Sequence, residues 1–334
     1  MTSSSERKTP EGAIRVLDPF RDLEAVVELI SVAFGDRLDP AGRATLERMR
    51  RFARSGPLVQ WFWAFLGKAA MAPGLVWLVD DQIVGNVSLR RSRSGGGYLI
   101  GNVVVHPDHQ GQGIARALMQ RAIRVVSQRG VPWVGLEVRE DNEAARHLYD
   151  GLSFRQVGRT HHLIREDDEG PVEALSGAEA MRRGRRRDAD ALIGLMRQSI
   201  PEEQRPLVEK SPDDYRPSWE RRLDHWLRCE DEVWWVVPEE GEMRGAVRAV
   251  RRSGGQPHRL EVLLSPSAGK GVASSLVRRG LKRMAGLEKP VASAVPNPRD
   301  CVLSALRAAG FREVRVLIQM KRDLKRKVSV RKAR

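Results

Sequence analysis

The sequence predicts an α+β protein made of two tandem copies of one layered plan, each a mixed, mostly antiparallel sheet flanked by helices. Three observations predict it. Helical and strand-like apolar periodicities alternate in the same order in both halves. The landmarks of that order recur at nearly equal spacing, 47 residues from Pro107 to Phe154 and 45 from Pro266 to Phe311, the mark of an internal duplication. A length of 334 residues, 41% hydrophobic and 30% charged, suits two globular cores rather than a disordered chain.

The elements follow in order. Leu23, Val26, Val27, Ile30 and Ala33 recur at helical spacing, so the order is expected to begin with a helix over 21–33. The aromatic stretch 59–71, with Trp61, Phe62, Trp63 and Phe65, reads as a second helix, either a core element or an apolar wall for a substrate. Pro73-Gly74 interrupts the apolar run 57–79, leaving it too short to span a membrane. LVWLV, the turn Asp80-Asp81 and QIVGNVSLR form a hairpin, and Gly95-Gly96-Gly97 marks a turn. YLIGNVVVH is a buried strand. The loop PDHQGQG leads into a helix whose apolar face is Ile114, Leu118, Ala122, Val125 and Val126, and Gly130 stops it. VPWVGLEV is a strand, a helix begins near Asp141 or Asn142, and RQVG and THHLIR finish as strands.

Residues 166–178 are acidic, then contain Gly, Pro and Ser, and read as a linker between domains at 12–165 and 179–324. After it come a helix in RRRDADALIGLMRQSI, a hairpin in VWWVVPEEGEMRGAVRAVRR, and a strand, glycine loop and helix in RLEVLLSPSAGKGVASSLVRRGLKRM. A strand KPVASAV, a helix ending at AAGF and a strand VRVLIQMKR complete the copy, and 325–334 is a basic tail.

The formal net charge is +15, concentrated in RRGRRR at 182–187 and in the C-terminal run. Such runs are either solvated faces and tails or contacts for nucleic acid, acidic lipid or ribosomes, and no zinc finger, RNP motif or clear helix-turn-helix supports nucleic-acid binding. Two cysteines, Cys229 and Cys301, make neither a disulfide framework nor a four-thiolate zinc site, and they suit a reducing, cytoplasmic location. The start MTSSSERKTP has no apolar h-region, so no secretory signal is expected. His106, Asp108 and His109 give an incomplete ligand set, so no metal is expected. His161 and His162 straddle a strand and carry no assigned role.

The most informative stretch is VVVHPDHQGQGIARAL at 103–118: strand, turn, glycine-rich loop, helix N-terminus. Amides at a helix N-terminus lack intrahelical partners and face the positive end of the dipole, which suits a phosphate or diphosphate. A dinucleotide loop fails, because Arg116 stands at its third-glycine position. A Walker loop fails too, because Gly67-Lys68 is followed by Ala69 and Gly269-Lys270 by Gly271.

Gln110-x-x-Gly113-x-Ala115 instead resembles the Q/R-x-x-G-x-G/A signature of the GCN5-related N-acetyltransferase (GNAT) superfamily. The order of elements and the run Asn142 to Tyr149, ending at Phe154, are similar to that family as well; Ser153 departs from its usual glycine. The resemblance covers roughly 12–165 and, more weakly, 178–324. It implies acetyl-coenzyme A as acyl donor, with its diphosphate on the amides of Gln110, Gly111, Gln112, Gly113, Ile114 and Ala115 and its pantetheine along Val103, Val104 and Val105.

Acyl transfer to an amine needs a base for the ammonium, an N–H donor for the oxyanion and a proton donor for the thiolate. Glu137 points opposite to Leu136 and Val138; it is either a base raised in pKa by burial near the sheet centre, or a carboxylate paired with Arg139 or exposed on the strand. LEVREDNEAARHLY is similar to the ribosomal-protein alanine N-acetyltransferases, which carry a glutamate twelve residues before the tyrosine, and that resemblance implies Glu137 as base. Tyr149 shares a helix face with Ala145 and Asn142. It falls at the family's acid position, the alternative being a core tyrosine with a satisfied hydroxyl. Asn142 caps the helix, touches the pantetheine, or both.

In the second half, Leu306 and Ala294 stand where Tyr149 and Glu137 would fall, so this copy is expected to be degenerate and not catalytic. The architecture resembles tandem acetyltransferases such as mycothiol synthase, though no residue matches that acceptor chemistry. The expected function is transfer of an acetyl group to a primary amine in a ternary complex. The alternative is an acyl-coenzyme A-binding regulator whose basic tail contacts nucleic acid or ribosomes. The acceptor, a small molecule or a protein N-terminus, and the oligomeric state stay open.

Overall fold

The computed structural model describes residues 12–34, 74–94, 96–166, 180–216, 230–239, 242–253, 255–286 and 288–324, with isolated positions between 43 and 55. The expected aromatic helix at 59–71, the linker after Glu166 and the basic tail lie outside the described residues.

The order begins with a strand, β1 (Ala13–Val16), and not with a helix; four residues are too few to show a periodicity. Then follow α1 (Pro19–Phe34), β2 (Leu75–Val79), β3 (Gln82–Arg91), β4 (Tyr98–Val105), α2 (Ile114–Gln128), β5 (Trp133–Arg139), α3 (Glu143–Asp150) and β6 (Arg155–Arg165). The two closing strands expected at RQVG and THHLIR are this one continuous β6. The second half supplies β7 (Arg182–Arg183), α4 (Ala189–Ser199), β8 (Glu230–Glu239), β9 (Glu242–Arg252), β10 (His258–Leu264), α5 (Lys270–Lys282), β11 (Val291–Pro296), α6 (Asp300–Ala308) and β12 (Arg312–Asp323).

Two compact units result, and they do not follow chain order. Met1–Glu137, Ala144–Arg155 and Met320–Arg334 form one; Val138–Glu143 and Gln156–Gln319 form the other. In the first, β1 to β4 pair antiparallel in sequence order and β5 joins parallel to β4. One sheet face packs on α1 through Leu23, Val26, Val27 and Ile30 with Val76 and Val104. The other carries α2, whose Ile114 and Leu118 press so closely on β3 that a Cβ at Gly85 would meet them at 3.1 and 3.0 Å. In the second unit, β7 to β10 pair antiparallel, β11 joins parallel to β10, and β6 pairs antiparallel with β11. Its larger core gathers Leu260, Leu276, Val277, Leu306 and Phe311.

Duplication shows in small devices. Each copy opens with an arginine on its edge strand gripping an aspartate at the start of the next helix, Arg15 with Asp22 and Arg182 with Asp188. Those hydrogen bonds hold both carboxyls below their ordinary pKa. Arg182 of the basic run is therefore a structural cation. No helix among the described residues is long and apolar enough to cross a membrane.

Candidate active site

The site begins at an irregularity in β4. Its parallel pairing with β5 runs from Tyr98 opposite Val134 to Ile100 opposite Leu136. Just beyond, the register with β3 shifts between Asn86 and Ser88, and Asn102 takes a left-handed φ of 49°. Asn86, fully buried, donates from Nδ2 to the Asn102 carbonyl at 2.9 Å and so pins the bulge. A bulge bends its strand. Val104 and Val105 stay paired to β3, while their other edge faces no recorded β5 partner. An extended chain bearing amides fits such an edge. Sequence reasoning missed Asn86, although a lone amide inside QIVGNVSLR was its signal.

The loop follows directly. Gly111 and Gly113 take φ of 74° and 82°, conformations that strain any L side chain. A Cβ at either would meet nothing within 4 Å, so these glycines serve the backbone path and leave an open cradle. The side chains around them staple the loop. Gln110 donates to the Val105 carbonyl at 3.2 Å, Gln112 to the Asp108 carbonyl at 3.4 Å, and the His106 ring accepts from the Asp108 amide. Gly113 caps α2 without a side chain, so the amides that start the helix have no intrahelical acceptor. That set of donors fits a diphosphate. Gly113→Val should raise the KM for acetyl-coenzyme A roughly 5–30-fold, the equivalent of the ~1–2 kcal/mol left-handed penalty, with the unfolding midpoint nearly unchanged; steady-state kinetics beside thermal melts check it.

Glu137 lies one residue past Leu136, the last position paired to β4, and so at the fork between the strands. Leu136 and Val138 are buried and Glu137 is exposed. The expected burial of its carboxylate near the sheet centre is therefore corrected: Trp133 and Gly135 on the same face are buried, but Glu137 itself is exposed where the strands part.

Tyr149 is the buried residue of α3, 6% exposed, with its ring edge-on to Phe154 at 6.1 Å. Its hydroxyl makes no hydrogen bond to any described residue. Burial pushes its pKa up to about 12, so it carries its proton at any physiological pH. Asn142 falls in the turn before α3, its amide donating to the Arg139 carbonyl, and belongs to the second unit.

The cap after α3 explains the departure at Ser153. Phe154 donates its amide to the Tyr149 carbonyl and Ser153 to that of Asp150, with Ser153 at a φ of 61°. In the second copy Phe311 bonds Leu306 and Gly310 bonds Arg307, with Gly310 at 82°. Serine thus occupies a left-handed position at a cost of about 1–2 kcal/mol. Leu306, fully buried, fills the place of Tyr149. Arg299, at the place of Asn142, donates to the carbonyls of Ser265, Pro266 and Ala268. The second glycine turn is held by this guanidinium, and Gly269 is extended rather than left-handed.

Comparison with known proteins finds acetyltransferases by sequence and by fold. Residues 41–154 match the acetyltransferase (GNAT) family. The [ribosomal protein bS18]-alanine N-acetyltransferase of Escherichia coli is 46% identical over 56 residues, 17% of this chain and 38% of that protein. The chain spans 38–57% of the length of the first curated relatives it matches. A GCN5-related N-acetyltransferase of Sphaerobacter thermophilus shares the fold over 95% of this chain and 97% of its own, at a TM-score of 0.65 and 17% identity. A tandem GNAT protein from the clavulanic acid biosynthesis pathway does so over 94% and 98%, at 0.57 and 14%. Residues 41–154 thus carry the sequence of the acetyltransferase (GNAT) family, and the chain shares the fold of a tandem GNAT protein over nearly its full length.

Proposed function

We propose that the protein transfers an acetyl group from acetyl-coenzyme A to a primary amine, with the chemistry in the first unit. The observation that carries this reading is the pair of left-handed glycines, Gly111 and Gly113, feeding α2 just after β4 leaves β5. The amides of Gln110 to Ala115 hold the diphosphate; Val103 to Val105 offer their free edge to the pantetheine. Ile114 contributes only its amide, since its side chain is core. Bound there, acetyl-coenzyme A supplies the activated acyl group. Glu137, at the fork and open to solvent, takes the proton of the incoming ammonium directly or through water. Tyr149 offers its unbonded hydroxyl to the sulfur. Leu306 and the Arg299-held turn leave the second unit without this chemistry.

The acceptor class is a primary amine on a small molecule or a protein N-terminus, an alanine N-terminus being the first to try. The test is thiol release from acetyl-coenzyme A across a panel of N-terminal peptides, amino acids, polyamines and aminoglycosides. At least one acceptor should give turnover, and Glu137→Gln should cut kcat/KM by about 10²-fold. Saturable acetyl-coenzyme A binding without turnover on any acceptor would favour a regulator, and no binding at all would overturn the site. Turnover unaffected by Glu137→Gln would remove that residue as base.

A further inference from the structure

The second unit carries an unmatched cation. On the face of its sheet that packs against α4, paired positions place Glu230 beside Arg252, Arg248 beside both Trp234 and Glu261, and Arg259 beside Val250. Arg252 bonds Glu230 at 3.0 Å and Arg248 bonds Glu232 at 2.6 Å. Glu261 takes Lys210 at 2.5 Å, the Tyr215 hydroxyl at 3.0 Å and Arg248 at 3.4 Å. Among the described residues this network therefore holds four cations, Lys210, Arg248, Arg252 and Arg259, against three carboxylates, Glu230, Glu232 and Glu261. Arg259 is the one left over. Its Nε is buried without a hydrogen-bond partner, while the residue as a whole keeps part of its surface open. Burial, then Arg248, act against its charge, and Glu261 and Glu230 only partly offset them.

A guanidinium is protonated in any protein, so it cannot escape this environment by giving up its proton. A desolvated, unpaired charge is costly. Its planar fork is matched by the two oxygens of a carboxylate or phosphate.

We propose that Arg259 is an anion-recognition point in the second unit, taking the carboxylate or phosphate of a small molecule. This proposal does not depend on acetyl transfer in the first unit. The test compares unfolding midpoints of the full chain in chloride, sodium phosphate and sodium acetate at matched ionic strength, for wild type, Arg259→Met and Arg259→Lys. Wild type should gain roughly 2–4 °C once the preferred anion is about fivefold above its Kd. Arg259→Met should lose at least half of that gain, yet melt no lower than wild type in chloride, because it removes an unpaired charge. Any phosphate response of the first unit's loop is common to all three chains and cancels in the comparison. A response to phosphate alone assigns phosphate, and one to acetate assigns a carboxylate. Equal anion responses in wild type and Arg259→Met would overturn the proposal, as would no wild-type response to either anion. Should Arg259→Met not fold, Arg259→Lys still decides, since losing the fork should weaken the anion's Kd about tenfold and an unchanged Kd overturns the site.

Discussion

Tyr149→Phe should slow acyl transfer about 10²–10⁴-fold where chemistry limits turnover, with little change in the KM for acetyl-coenzyme A. The ring is kept, so packing against Phe154 survives and only the hydroxyl is lost. A hydroxyl near pKa 12 is a weak acid beside a thiol of ~8.5 in water. The same dry surroundings raise the thiolate's basicity as well, which narrows the gap. In the proposed reaction the hydroxyl therefore acts first as a hydrogen-bond donor to the departing sulfur and passes its proton late. Activity should show no alkaline limb from Tyr149 below pH 10. Stability behaves in parallel. The folded pKa is raised, so this residue's contribution is complete below pH ~10 and drains away between about 10 and 12. Two pH units correspond to about 2–3 kcal/mol, read as the difference between wild type and Tyr149→Phe in alkaline urea melts. An unchanged transfer rate in the variant would exclude Tyr149 from the mechanism.

Glu261→Gln is expected to be the most damaging single change in the second unit, destabilising it by about 3–5 kcal/mol. The substitution keeps volume but strips the counter-charge from Lys210, leaving it uncompensated, and takes one of two carboxylates from Arg248, which keeps only Glu232, beside Arg259. Burial by itself would lift the Glu261 carboxyl, but Lys210, Arg248 and Arg259 outweigh it and hold it well below the usual carboxylate range. Its folded pKa is depressed, so its stabilisation is full above about 4.3, the unfolded value, and is lost as the pH falls further. Wild type should therefore lose stability steeply below pH ~4 and Glu261→Gln should start lower with a flatter acid limb. Thermal melts across pH 3–7 read both. Parallel acid limbs would show that the network does not depend on this carboxylate.

The plan of the chain was legible wherever a local rule acts alone. The glycine loop and the stop at Gly130 follow from backbone demands that few residues meet, and each lies where the pattern placed it. The position of Glu137 on its strand was legible from alternation, but its exposure was not, because both faces of the strand are covered up to Leu136 and the cover ends where the pairing with β4 ends. Asn86 escaped because its role depends on a bulge in the neighbouring strand. The Arg259 network was equally hidden, since it is assembled from β8, β9, β10 and the segment after α4 and only pairing across strands reveals the missing carboxylate. The exchange of segments between the units was invisible for a similar reason: a strand's period does not name the sheet that it joins.

That exchange governs when the protein can mature during synthesis. Within the first unit Arg322 donates to the Leu152 carbonyl and the Leu324 amide to that of Pro132, so its last piece leaves the ribosome 165 residues after Arg155. At roughly 5–20 residues per second, the half-built enzyme would wait on the order of 10–30 s for its closing segment. A nascent chain stalled anywhere in that interval should be open to proteases and chaperones, and its first unit should resist them only once Leu324 has emerged.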